Sequence, residues 1–96
     1  MQKDPLLGFL DDQGRLTGFP AKYKKKLLAL QLLAEKLHPG RVYTESELND
    51  LLDSWTTFHD PATLRRELYN NHFVDRKNDG SAYWLEPEQP DVTKML

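Results

Sequence analysis

Two helix-start signals frame residues 44 to 60 and restrict what this chain can fold into. The first is Thr44-Glu45-Ser46-Glu47, a capping box: the threonine hydroxyl accepts a backbone N–H of the first turn, and Glu47 reaches back to the cap's own N–H. The second is Asp60-Pro61, an aspartate that caps a first turn followed by a proline where no N–H is needed. Between them Leu48, Leu51, Leu52 and Trp55 recur at core spacing, so a helix runs from the first signal to about Trp55. The link Trp55-Thr56-Thr57-Phe58-His59 leads into another helix over residues 60 to 72, and helices joined this closely predict helix–turn–helix geometry.

In the second of these helices Leu64 and Leu68 share one face at 100° per residue. Arg66, Tyr69 and Asn70, with Ala62 and Thr63 a turn earlier, lie on the other side. Arg and Asn each make paired hydrogen bonds to base edges, so the pattern is that of a recognition helix, and equally that of an ordinary surface helix.

Upstream, Phe19-Pro20 opens the longest predicted helix, from Ala21 to about Leu37, closed by His38-Pro39-Gly40. Tyr23, Leu27, Leu30, Ala34 and Leu37 form its core stripe, while Leu28 and Leu32 fall nearly opposite. A helix apolar on two sides needs two covers. The second cover is either the N-terminal arm with Phe9, Leu10, Leu16 and Phe19, or a partner chain on the Leu28/Leu32 face. Lys22, Lys24, Lys25 and Lys26 crowd the first turns, the unfavourable end of the helix dipole for cations. Residues 1 to 5 read as frayed, and Asp11-Asp12-Gln13-Gly14-Arg15 as a turn in a loose hairpin, with Gly14 at positive φ.

Arg41-Val42-Tyr43 reads as a short strand. Phe73 to Arg76 and Ala82 to Leu85 read as a hairpin around Asp79-Gly80, with Lys77 to Ser81 as its turn. The predicted fold is α+β, mostly helical and winged-helix-like: three helices plus a small antiparallel hairpin, the wing. It divides into an N-terminal arm (1–19), the winged-helix-like domain (20–86) and a loose C-terminal tail (87–96) whose last residues form a turn of helix against a partner.

Composition limits the functions available. Of 96 residues, 39% are hydrophobic and 29% charged, which suits one soluble domain. The absence of cysteine removes disulfides, thiolate chemistry and cysteine-ligated zinc. No run of about 20 apolar residues and no charged-then-apolar start is present, so the expectation is a cytoplasmic protein with no membrane partner. The net charge of −2 argues against indiscriminate coating of nucleic acid. That charge is unevenly spread: residues 20–41 carry six Lys/Arg against one Glu, and residues 42–60 carry five acids and no Lys/Arg.

Several blocks together resemble one known family. They are Phe19-Pro20-Ala21-Lys22 with its lysines, Tyr43-Thr44-Glu45 with Glu47 and Asn49, Asp60 with Ala62 to Leu68, Asp75-Arg76, and Gly80-Ser81 with Tyr83-Trp84. In this order they resemble an uncharacterised bacterial domain-of-unknown-function family that occurs alone or fused behind ArsR-type winged-helix regulators. The resemblance covers roughly Leu10 to Leu85 and implies a winged-helix-like fold and a link to transcription regulation. It supplies no ligand and no catalytic residues. His72 departs from the family pattern, which has Gly between the third helix and the next strand.

Two readings of function stand side by side. In the first, the domain binds double-stranded DNA, with Thr63, Arg66, Tyr69 and Asn70 facing bases and Lys22, Lys24, Lys25, Arg76 and Lys77 facing phosphates. In the second, it is a protein-interaction or dimerisation module on the same scaffold, with Leu28 and Leu32 as the partner face. Catalysis is not expected. His38, His59 and His72 lack metal-binding spacing, no glycine-rich phosphate loop or nucleophile elbow is present, and no cofactor is implied. Tyr83 and Trp84 read as core aromatics, or with Trp55 as an aromatic ligand site.

Overall fold

The computed structural model describes residues 6 to 95. A short 3-10 turn, Leu7–Phe9, precedes α1 (Tyr23–Ala34), α2 (Glu45–Ser54), α3 (Pro61–Asn70), β1 (Val74–Arg76), β2 (Tyr83–Leu85) and α4 (Val92–Met95). This is a small α+β fold of three main helices and a two-stranded antiparallel hairpin. The expected fraying of residues 1 to 5 lies outside the described residues.

Both helix-start signals act locally as their chemistry dictates. Thr44 accepts from the Glu47 N–H at 3.1 Å, and Glu47 accepts from the Thr44 N–H at 2.9 Å, closing the capping box. Asp60 accepts from the Thr63 N–H at 3.3 Å, with Pro61 in the first turn of α3. The buried sides of these helices, Leu48 with Leu52 and Leu64 with Leu68, are fully covered and meet where α2 packs on α3.

The first helix is shorter than its periodicity predicts. It begins at Tyr23, because Lys22 is extended and offers no side-chain cap, and it ends at Ala34 in tightened turns that carry Leu37 back into the core. Tyr23 is consequently 54% exposed rather than part of the core stripe, while Ala29 and Leu33 join Leu27, Leu30, Ala34 and Leu37 in the interior. The N-terminal arm is a hairpin, bridged between Leu10 and Leu16, with Gly14 at φ +78° in its turn. Leu16 is fully buried and pairs with the α2–α3 link, its N–H donating to Trp55 and its carbonyl accepting from Thr57. The arm reaches the start of α1: Lys25 Nζ lies 5.6 Å from the Phe9 ring centroid and Lys26 Nζ 5.7 Å from that of Phe19. These ring faces offset the cost of placing cations at a helix N-terminus.

The expected strand at Arg41 to Tyr43 is reduced to one bridge. Tyr43 and Tyr83 exchange two backbone hydrogen bonds of 2.7 and 2.8 Å, while Val42 is 58% exposed. In the hairpin Val74 pairs with Leu85, Asp75 with Trp84 and Arg76 with Tyr83. Phe73 and Val74 are both buried despite being adjacent in sequence, because Phe73 belongs to the helix stop and not to the strand.

The segment after β2 is not the loose tail expected. Gln89 donates its side-chain amide to the carbonyls of Phe73 and Glu86, and Val92 at the start of α4 is buried, with α4 packed on α1. The terminal turn therefore rests on this chain's own first helix.

His72 resolves how α3 ends. Its φ is +66°, the left-handed conformation that glycine normally supplies. The His72 N–H donates to Tyr69 and the Phe73 N–H to Leu68, the paired bonds of a Schellman stop. The helix thus closes in the ordinary way with a histidine at the left-handed position, at the strain of a residue with a Cβ there. We expect His72→Gly to raise unfolding stability by about 1 kcal/mol, read by urea denaturation; an unchanged or lowered midpoint would contradict that strain. The capping box sets a pH dependence. The Thr44 backbone N–H is the main cause that holds the Glu47 carboxyl below its ordinary pKa of 4.5, helped by the Thr44 side chain and by Arg41. A depressed acid stabilises the fold fully above 4.5 and loses that stabilisation as pH falls through its lower folded value. Glu47→Gln should therefore flatten the acid limb of melting temperature against pH without altering the neutral side of its shape.

Candidate nucleic-acid interface

The exposed face of α3 and the paired ends of β1 and β2 meet in one depression. Its volume is about 240 Å³, and it is lined by Ala62, Arg65, Arg66, Tyr69, Asn70, Arg76 and Tyr83. Three guanidinium groups, two phenols and an amide line it, and no carboxylate does. Three of the residues expected to face bases, Arg66, Tyr69 and Asn70, are brought together here, and so is Arg76, expected on phosphate. Thr63 is half-buried in the first turn of α3 and is not part of this lining.

The geometry rests on Arg65, which reaches three elements. Its Nε donates to Asn49 Oδ1 at 2.6 Å, its Nη1 to the Tyr83 hydroxyl at 2.9 Å, and its Nη2 pairs with Glu45 Oε1 at 3.0 Å. With a side chain only 16% exposed, this guanidinium is committed to structure and still lends positive charge to the depression. Arg76 comes from β1 and lies over the Tyr69 ring, 4.8 Å from its centroid, so the hairpin and α3 share a stacked pair. Gly80 completes the turn at φ +74°; a side chain there would meet Arg76 Nη1 and the Tyr83 hydroxyl, each 3.7 Å away.

The remaining basic residues are dispersed. Lys22 and Lys24 are exposed at the start of α1, Lys77 is exposed in the hairpin turn, and Lys25 is half-buried against Phe9. Lys26 faces Glu67 of α3 at 3.9 Å. Leu28 and Leu32 are half-buried and pack against the core.

Beyond Tyr69 and Asn70 the character of the surface reverses. A second depression is lined by Tyr69, Asn70, His72, Val74, Asp75 and Glu86, with two carboxylates and no Lys or Arg. The end of α3 is thus a ridge between a basic and an acidic hollow. An apolar groove of about 660 Å³ runs elsewhere, lined by Pro39, Gly40, Val42, Trp84, Leu85, Glu86, Pro87 and Gln89. Trp84 belongs to this groove, and Trp55 instead packs under Lys36, whose Nζ is 4.0 Å from the ring. Tyr83 is in the core by its ring, with its hydroxyl in the basic depression.

Residues 15–85 match a bacterial family described as "Uncharacterized protein conserved in bacteria (DUF2087)". The chain belongs to this family. The DUF2087 match takes in the second half of the arm hairpin, all three main helices and the β1–β2 hairpin, and it contains every residue of the basic depression. It ends before Pro87 and Gln89 of the apolar groove and before α4. No curated protein and no solved structure matches the chain.

Arg65 and Tyr83 are the members that sequence reasoning did not place at the site. The contacts of Arg65 with Asn49 and Tyr83 span 16 and 18 residues and leave no local pattern. No helix among the described residues is long and apolar enough to cross a membrane, and no group of three potential metal ligands is gathered among them. Arg65→Gln removes the fork that joins α2, α3 and β2. It should cost about 2 kcal/mol of stability, the scale of hydrogen bonds to a charged group, and Tyr83→Phe should cost less. Denaturant titration of the two variants checks the order.

Proposed function

We propose that this domain binds double-stranded DNA, docking α3 and the β1–β2 turn as the third helix and wing of a winged helix. One observation carries the reading: Arg65, Arg66 and Arg76 converge with Tyr69 and Asn70 on a surface hollow free of carboxylates, in a chain whose net charge is −2. Positive charge gathered against the overall sign is what phosphate contact requires. In this reading Asn70 and Thr63 contribute to the face toward the groove, and Lys22, Lys24 and Lys77 add backbone contacts from the flanks. The acidic hollow at Asp75 and Glu86 ends the footprint at Asn70. The domain then belongs to bacterial transcription regulation in the cytoplasm, alone or joined to an ArsR-type regulator, with no chemistry of its own.

A second reading, a protein-interaction or dimerisation module, is favoured by the groove of Pro39, Val42, Trp84, Leu85 and Pro87, where Val42 is 58% exposed. Apolar surface of this kind marks protein contacts more than DNA contacts.

Fluorescence anisotropy of labelled random-sequence duplex, titrated at several salt concentrations, separates the two. DNA binding predicts affinity that falls with salt, with a log–log slope of about −0.9 per phosphate contacted. Arg66→Ala should weaken it by at least several-fold. No binding at low salt overturns the DNA reading.

A further inference from the structure

We infer that the basic depression is a seat for a single phosphate group, gripped by Arg66 and Arg76 over the Tyr69 ring, and that Glu45 sets its affinity. The inference rests on the DNA reading only for the source of that phosphate, the duplex backbone. It reassigns Arg66 from base reading to phosphate holding.

The chemistry of the lining selects the ligand. A hollow of about 240 Å³ has room for a phosphate group. Its donors come from two elements: Arg66 and Asn70 from α3, Arg76 from β1. A tetrahedral oxyanion accepts from several directions at once, whereas a base edge is planar and is read by donors lying in its plane. Arg76 is held over Tyr69, 4.8 Å from the ring centroid, so its guanidinium is placed at the hollow before a ligand arrives. Arg65 has each of its three nitrogens engaged with Asn49, Tyr83 or Glu45, which uses three of its five N–H groups, and it adds charge to the hollow that Arg66 and Arg76 face.

Glu45 is the counterweight. Its carboxylate pairs with Arg65 at 3.0 Å and is itself half exposed, so it cancels part of the field at the hollow without lining it. Neutralising Glu45 leaves the hydrogen bonds of Arg65 to Asn49 and Tyr83 in place and raises the net positive charge felt by an anion. The site should therefore bind more tightly when this acid is replaced, an effect that loss of folding cannot imitate.

The experiment has two arms on the full chain. In the first, duplex DNA is titrated at several salt concentrations with wild type and Arg76→Gln. A phosphate seat predicts a log–log salt slope shallower by about one, with weakening uniform across DNA sequences. An unchanged slope, or weakening that depends on sequence, overturns the inference in favour of base reading by this hollow. In the second, arginine side-chain NMR signals are followed as inorganic phosphate replaces chloride at constant ionic strength. Saturable shifts at Arg66 and Arg76, tightened several-fold by Glu45→Gln, are expected. If duplex DNA does not bind but these shifts saturate and tighten, the DNA reading fails and the seat stands, serving a free phosphate or phosphomonoester. If neither duplex nor phosphate binds, the inference falls as well.

Discussion

The guanidinium of Arg65 is the point at which the polar side of this fold is held together. The apolar faces of α2 and α3 meet through leucines, which tolerate small rotations because dispersion contacts are not directional. Arg65 removes that freedom. Its donors run to Asn49 and Glu45 on α2 and to Tyr83 on β2, fixing the roll of α3 against both neighbours. Tyr83 in turn exchanges two backbone hydrogen bonds with Tyr43, and the Tyr43 hydroxyl accepts from the His38 N–H at the end of the turns after α1. One guanidinium thus sits at the head of a chain of bonds that joins α2, α3, β2 and the turns after α1.

That arrangement decides what the outer face of α3 presents. With the roll fixed, Arg66, Tyr69 and Asn70 stand beside Arg76, and the pairing of β1 with β2 brings Arg76 over the Tyr69 ring. One residue earlier in the same strand, Asp75 points to the other side of the ridge, where it joins Glu86. The alternation of a strand therefore sorts a basic and an acidic residue into separate hollows that share Tyr69 and Asn70. The charge at the surface of α3 is a product of strand register as much as of helix sequence.

Local strain accompanies this geometry. His59 and His72, at φ +49° and +66°, flank α3 at its two ends. Each non-glycine left-handed residue costs about 1 kcal/mol or more, so the chain enters and leaves α3 through conformations that the surrounding structure must hold. The Schellman bonds at His72 and the burial of Leu68 and Phe73 supply that hold at the exit. At the entrance the Asp60 cap does so, and the exposed His59 ring lies 3.8 Å from Asp53.

Much of the architecture is written in the sequence because it is fixed by neighbours. Capping boxes, a proline after an aspartate, a glycine in a tight turn and the spacing of leucines all act within a few residues. They gave α2, α3, the hairpin and the order of elements. Where a local signal was weak the boundaries moved: with no capping side chain at Lys22, α1 starts late, and Tyr23 stays in solvent. The lysine cluster, unfavourable by the helix dipole alone, made sense only when the arm brought Phe9 and Phe19 over Lys25 and Lys26. The docking of the C-terminal segment depended on a glutamine amide finding a carbonyl 16 residues away. The candidate site divides along the same line. The composition of the α3 face was legible from 100° spacing, whereas the roles of Arg65, Tyr83 and Arg76 were set by contacts between elements. Sequence by itself determined which segments fold and in what order, since those choices are made by adjacent residues. Tertiary structure alone decided which charges share a hollow, since that depends on the roll of a helix and the register of a strand.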